Sequence, residues 1–431
     1  MAATHENPRA PAGRNPAVHM WQNNMCITYT TVFRRFEDFF RANGCAIRPT
    51  AEEADVLVVG ACAGFLPQID EWMEKMRQLT SLAKPIVVYG CLPRIAPQRF
   101  AEVAGGVSLH IPPEQPEGIA RLVPDLRVPW EAVADPCGFR REDYRSYDPG
   151  KAYLIIQYGC EADCVYCPHK IGMGPHFSRP LSEVAALARS AVADGAHTLF
   201  LEGMDSGSWG TDLVPPQTYV ELLRALLGIP GDFQIHISQF GANWLLRYGQ
   251  GLLETFAHPR VTDIKVPIQS MSPRLLKLMG RDPRVEQIGG LLKALRGRKE
   301  DLNLRTDLII GFPTETEAEL QRTLEFASEH FDEIACYGFE LHPSAPIARM
   351  DLALFDDELI ERRVERALTF LNLKGGIITH RGGQVPDTLL ERERLIARRG
   401  RLRASSSRRR LQRTPQARPI KRPAPLSTHQ R

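Results

Sequence analysis

Two kinds of hydrophobic pattern alternate along this chain. EADVLVVGAC (53–62) and KPIVVYGC (84–91) are continuous apolar runs rich in Val and Ile, a pattern that suits buried parallel strands. Between them QIDEWMEKMRQLTSL carries apolar residues at helical spacing, and upstream TVFRRFEDFFRANG is an amphipathic helix ended by Gly44. A second series predicts strands at YLIIQYG, HTLFLEG, FQIHISQF, VTDIKVPIQS, LRTDLIIGF and EIACYGFEL. Helical segments separate them, among them LSEVAALARSAVADG, PQTYVELLRALLG and ETEAELQRTLEFASEH. The fold expected is α/β: an N-terminal doubly wound parallel sheet followed by a partial (β/α)6 barrel. In a barrel of this kind, chemistry collects at the C-terminal strand ends.

At 431 residues the chain divides into several parts. A Pro- and Ala-rich leader without a signal-peptide core covers 1–21, and the first α/β domain covers 22–125. A polar link (126–150), the barrel (151–350), a C-terminal helical segment (351–393) and a basic tail (394–431) follow. No apolar run reaches membrane-spanning length, so no membrane partner is expected. Nine cysteines form no secreted disulfide framework, and a cytoplasmic location fits best. The net charge of +3 hides an asymmetry: from Arg394 onward there are 13 Lys and Arg and no acid, leaving −10 on residues 1–393. The tail is expected to be disordered. It reads either as a nucleic-acid arm or as an inert Arg-rich extension.

Candidate chemistry centres on Cys160, Cys164 and Cys167, a CxxxCxxC on the loop after the first barrel strand. Three thiolates this close can bind three irons of a [4Fe–4S] cluster and leave the fourth iron open. Zinc is the competing reading, but structural zinc prefers four protein ligands. His169 offers a fourth only across the turn stiffened by Pro168. In the first domain Cys62 and Cys91 end strands and Cys26 precedes the first helix, so the three belong on one sheet edge. They are either a second cluster site or ordinary buried cysteines. Cys45 is the rival to Cys26, while Cys45, Cys137 and Cys336 otherwise read as structural.

With the CxxxCxxC loop, the chain resembles the radical S-adenosylmethionine (SAM) superfamily. Its order of motifs is similar to the methylthiotransferases over about residues 24–350: EEADVLVVGAC, VVYGCLPR, CVYCPHKIGMGPHFSRPLSEV, GAHTLFLEGMDSGSWGTD, IKVPIQSMSPRLLKLMGRDPR and LRTDLIIGFPTETEAEL. The resemblance implies that SAM chelates the open iron and is cleaved to a 5′-deoxyadenosyl radical. It also implies a second [4Fe–4S] cluster that supplies sulfur, with a methylthio group or sulfur alone as the product. Departures from the family are the isolated Cys26, Glu202 before Gly203, Met271 in SMS, and no recognisable C-terminal RNA-binding β-barrel after Lys374.

Carried onto this sequence, the SAM contacts expected are Tyr166, Gly203, Ser238, Gln239, Gln269, Arg281 and Gly311, with Glu202 and Asp205 as candidate catalytic or substrate-contacting carboxylates. Arg281 suits the SAM carboxylate, and Gly311 suits close approach of adenine. An electron donor such as flavodoxin or ferredoxin is implied. The acidic body and the missing barrel favour a small-molecule substrate, such as a natural-product intermediate, over RNA, whose capture depends on phosphate contacts. The alternatives are a tRNA or ribosomal-protein substrate, and an auxiliary cluster that donates no sulfur.

Overall fold

The computed structural model describes residues 15–23, 26–135 and 150–373. Its first domain is a parallel sheet in the order β1 (Val18–Gln22), β2 (Val56–Ala61), β3 (Ile86–Gly90), β4 (Leu109–Ile111). A further parallel bridge joins Val18 to Ile47 on the other side of β1. The chain therefore leaves β1 through helix α1 (Ile27–Ala42), returns at Ile47 on one flank, and crosses to β2 on the opposite flank. That reversal puts helices on both faces. α1 packs its Phe33, Phe36 and Phe40 with Val56, Val58 and Tyr89. α2 (Leu66–Thr80) packs Trp72, Met73 and Met76 with Leu57, Val59 and Val88. The sheet is doubly wound, and its switch point lies beyond the carboxyl ends of β1 and β2, the usual place for a ligand.

β1 corrects the expected leader boundary. Val18 and Met20 are buried, so order begins before residue 22. Five residues of mixed polarity following a proline carry little local signal. The strand forms because β2 supplies its hydrogen-bond partners.

The barrel strands are β5 (Lys151–Ile155), β6 (Thr198–Glu202), β7 (Gln234–Ile237), β8 (Val261–Lys265), β9 (Asn303–Ile310) and β10 (Glu333–Gly338), all parallel and paired in sequence order. These are the six read from the apolar runs. Apolar side chains on the outer face pack under helices such as Leu181–Ala193 and Tyr219–Leu227. The inner face is polar and aromatic. Tyr153 stacks on Phe200, which meets His236 edge-on, and Arg305 pairs with Asp263. Because the barrel is open on one side, these inner residues border the first domain, and Tyr153, Phe200 and Met204 join its core.

The described part of the link is a packed strap. Trp130 lies against Phe36 and Phe39 under the guanidinium of Arg35. Cys137 lies outside the described residues, as do the basic tail and the region where the RNA-binding barrel was sought. The C-terminal helix Asp357–Leu373 clamps Glu315 and Glu317 through Arg363. Among the described residues no helix is long and apolar enough to cross a membrane.

Candidate active site

Cys26, Cys62 and Cys91 meet at the switch point of the sheet. Cys62 follows β2 and Cys91 follows β3, while Cys26 sits in extended conformation at the N-terminus of α1, its side chain making no cap. The Cys91 thiol donates to Cys62, and the backbone N–H groups of Gly64 and Cys26 point at the same sulfur. The Cys91 hydrogen bond, opposed by burial and aided by those N–H groups, lowers the Cys62 thiol to about 6. The shared proton holds Cys91 high. Cys45 is excluded from this group by distance. It follows the far end of α1, and 16 residues of helix span about 24 Å.

Cys160, Cys164 and Cys167 share the loop after β5. The Cys160 sulfur receives the N–H of Ala162, and the Cys167 sulfur receives those of His169 and Lys170. Burial raises both thiols, Cys160 to about 12. Arg281 is half-buried beside them, donating to Cys164 Sγ at 3.6 Å, to Tyr166 Oη at 3.3 Å and to the Pro267 carbonyl at 2.6 Å. These contacts place the guanidinium beside the cluster loop, where the SAM carboxylate was expected to meet it. A cavity of about 270 Å³ opens beside this loop, lined in part by Cys164, Met271, Arg281 and Asp282.

The two cysteine groups face each other across the junction of sheet and barrel. Gly172, in the short helix His169–Met173, lies so close that a methyl group there would sit 2.5 Å from Cys91 Cβ. Tyr29 donates to the Met173 carbonyl at 3.5 Å. Phe65 stacks on Tyr337 at the end of β10, and the Leu66 N–H donates to Glu340 at 3.2 Å.

The other expected residues gather at the strand ends. Glu202 ends β6 and accepts from Ser238 Oγ at 2.8 Å. Asp205 is held by Trp244 Nε1 at 2.9 Å, and burial raises its carboxyl. Gln239 and Gln269 both adopt positive φ, 50° and 64°, a strained conformation typical of functional loops. Gly203 packs on the Gln157 side chain, where a Cβ would lie 2.7 Å from Cγ. Gly311 donates its N–H to Glu315 at 2.8 Å, and Ile360 packs against it on the side where a Cβ would project.

Sequence reasoning missed Gln157 and gave Asp307 no role. Gln157 is fully buried, and among the described residues neither amide atom has a partner. Asp307 holds Lys265 at 2.7 Å through one oxygen while its buried Oδ1 has none, and Gln269 Oε1 is likewise orphaned. Buried polar atoms without partners are costly, so each of these residues is a candidate contact for a polar ligand. A polar residue closing the apolar run YLIIQ was the available signal for Gln157.

These donors fit the expected groups. Each cysteine trio has backbone N–H groups aimed at its sulfurs, as thiolate ligands require, and the orphaned amides suit a nucleoside or amino-acid ligand. Among the described residues no trio of cysteine, histidine or carboxylate groups is already drawn together to metal-binding spacing.

A parallel partial barrel with a three-cysteine loop at its mouth defines a class. The radical SAM superfamily description matches residues 154–327. The structure of the radical SAM methyltransferase TsrM from Kitasatospora setae, bound to cobalamin and a [4Fe–4S] cluster, shares the fold with a TM-score of 0.54 at 14% identity, over 77% of this chain and 76% of that one. The tRNA-2-methylthio-N(6)-dimethylallyladenosine synthase of Chloroflexus aurantiacus is 30% identical over 367 residues, 82% of this chain and 74% of that protein. The ribosomal protein uS12 methylthiotransferase RimO of Carboxydothermus hydrogenoformans is 28% identical over 69% of this chain and 70% of its own length. The chain belongs to the radical SAM superfamily and, within it, to the methylthiotransferase family. It is an enzyme of that kind, and the superfamily implies one [4Fe–4S] cluster and SAM.

Proposed function

We propose that this enzyme forms a carbon–sulfur bond at an unactivated carbon, using a radical site held by Cys160, Cys164 and Cys167 and an auxiliary cluster held by Cys26, Cys62 and Cys91. The carrying observation is that two three-cysteine groups from separate domains meet at one junction. When bound, the clusters and SAM supply one-electron chemistry and sulfur. The protein's own part is positional. Arg281 steadies Cys164 and Tyr166, while Gly203, Gln157 and Gln269 offer SAM a polar seat. Glu202, tied to Ser238, would orient substrate at the mouth.

We favour a small, neutral or cationic substrate, because the strand ends carry Glu202 and Asp205 and residues 1–393 carry −10. That composition repels a phosphodiester backbone. A second reading, a tRNA or ribosomal-protein substrate, is favoured by the names of the relatives.

Iron and sulfide quantitation on anaerobically prepared protein tests the proposal. About eight irons per chain supports two clusters. Cys62→Ala with Cys91→Ala should remove about half while leaving SAM cleavage intact. Iron of about four that ignores those changes would sink the sulfur-donor role. Product mass then reads sulfur alone against methylthio, on either substrate class.

A further inference from the structure

The His169 ring touches a cysteine of the radical loop on one edge and the loop after Cys62 on the other. Its Nδ1 lies 3.4 Å from Cys167 Sγ. Its opposite edge is wedged onto the first domain, where a methyl group on Gly64 would sit 2.7 Å from Nε2 and 3.2 Å from Cε1. Gly64 is two residues past Cys62, whose sulfur feels the His169 ring electrostatically. The ring therefore lies in the seam between the two trios, and the absence of a side chain at Gly64 makes room for it.

Resting on the cluster reading above, we propose that His169 is a positioning residue that couples the two cluster sites, hydrogen-bonding a cysteine of the radical site while registering that loop on the auxiliary loop. The tautomer follows from the chemistry of the ligand. A cysteine that binds iron has lost its proton and can only accept, so Nδ1 carries the hydrogen. An N–H···S bond to a ligating sulfur stabilises the reduced cluster and raises its potential.

Asparagine places its amide N–H near the position of Nδ1, whereas glutamine reaches toward that of Nε2 and phenylalanine keeps only the shape. In the full chain carrying its clusters, EPR-monitored redox titration of the Cys160/Cys164/Cys167 site should show a more negative potential in H169F and H169Q. H169N should retain the wild-type value. Gly64→Ala alters neither ring nor cysteine and should shift the potential as H169F does, because it pushes the ring from its seat. A cluster-free readout accompanies this: in apoprotein, H169A with G64A should lower Tm no further than the larger single change. Wild-type potential in both H169F and G64A, at wild-type iron content, would overturn the proposal, as would additive Tm losses. Absence of iron at Cys160, Cys164 and Cys167 in the unmodified chain would instead end the cluster reading on which it rests.

Discussion

Gln157 separates stability from function at the scale of one side chain. A fully buried amide with both atoms unpartnered costs about 1–3 kcal/mol, a penalty that disappears if the group is apolar. Gln157→Leu should therefore raise Tm, read by calorimetry on apoprotein. The same change should weaken SAM binding to the reconstituted enzyme by about tenfold or more, the worth of a lost hydrogen bond or two. Unchanged SAM affinity would remove Gln157 from the site. Individual residues were the most legible scale for the cysteines, because a CxxxCxxC spacing is a local fact. Gln157 was hidden because its lack of partners exists only once the fold buries its side chain against Gly203.

Among the elements, helix Glu317–His330 shows how one carboxylate organises a strand end. Thr316 and Glu319 form a reciprocal capping box, and Glu319 also accepts from Ser272 at 2.6 Å and Arg274 at 2.8 Å. Burial opposes ionisation, but the bonds from Arg274, Ser272 and Thr316 win and hold its carboxyl at about 2, below the usual 4.5. A carboxyl with a depressed folded pKa stabilises the protein above the unfolded pKa and loses that contribution as pH falls. Stability should thus decline as pH drops from 4.5 toward 2, and Glu319→Gln should flatten that part of the denaturation profile. Glu319→Ala should cost about 2–3 kcal/mol at neutral pH, cap and clamp together. The helix itself, ETEAELQRTLEFASEH, was legible from its 3.6-residue period and its capping-box spacing. Strand β1 was not, since five mixed-polarity residues have no period long enough to register.

The whole molecule depends on how its two α/β units are joined. Asp135, in the strap, binds Arg35 of α1 at 3.0 Å and also the buried Arg179 of the barrel. Asp135→Ala removes one carboxylate from Arg179, which keeps Glu183 at 3.1 Å and the Tyr158 hydroxyl at 2.9 Å, and should lower unfolding free energy by about 1–3 kcal/mol, measured by urea denaturation. Arg179→Met with Asp135→Ala should recover part of the loss, since the more deeply buried of the two guanidinium groups that lost a partner is then absent. At the other end of the chain, the 13 Lys and Arg beyond residue 393 allow a direct test of the RNA reading. If RNA is the substrate, binding should fall steeply with salt and disappear when residues 394–431 are removed. A salt-insensitive, tail-independent product would place the substrate among small molecules.

Apolar periodicity alone determined six barrel strands, the strands of the first sheet that carry Cys62 and Cys91, and the helices between them, because each is written in consecutive residues. Cysteine spacing alone pointed to the loop proposed as the radical site. Only the tertiary structure decided that Cys26, rather than Cys45, stands with Cys62 and Cys91, that Arg281 donates to Cys164 and Tyr166, and that His169 lies in the seam between the two trios. Those outcomes join residues tens to hundreds of positions apart. They follow from the crossover at Ile47 and from the docking of sheet on open barrel, neither of which leaves a local trace in the chain.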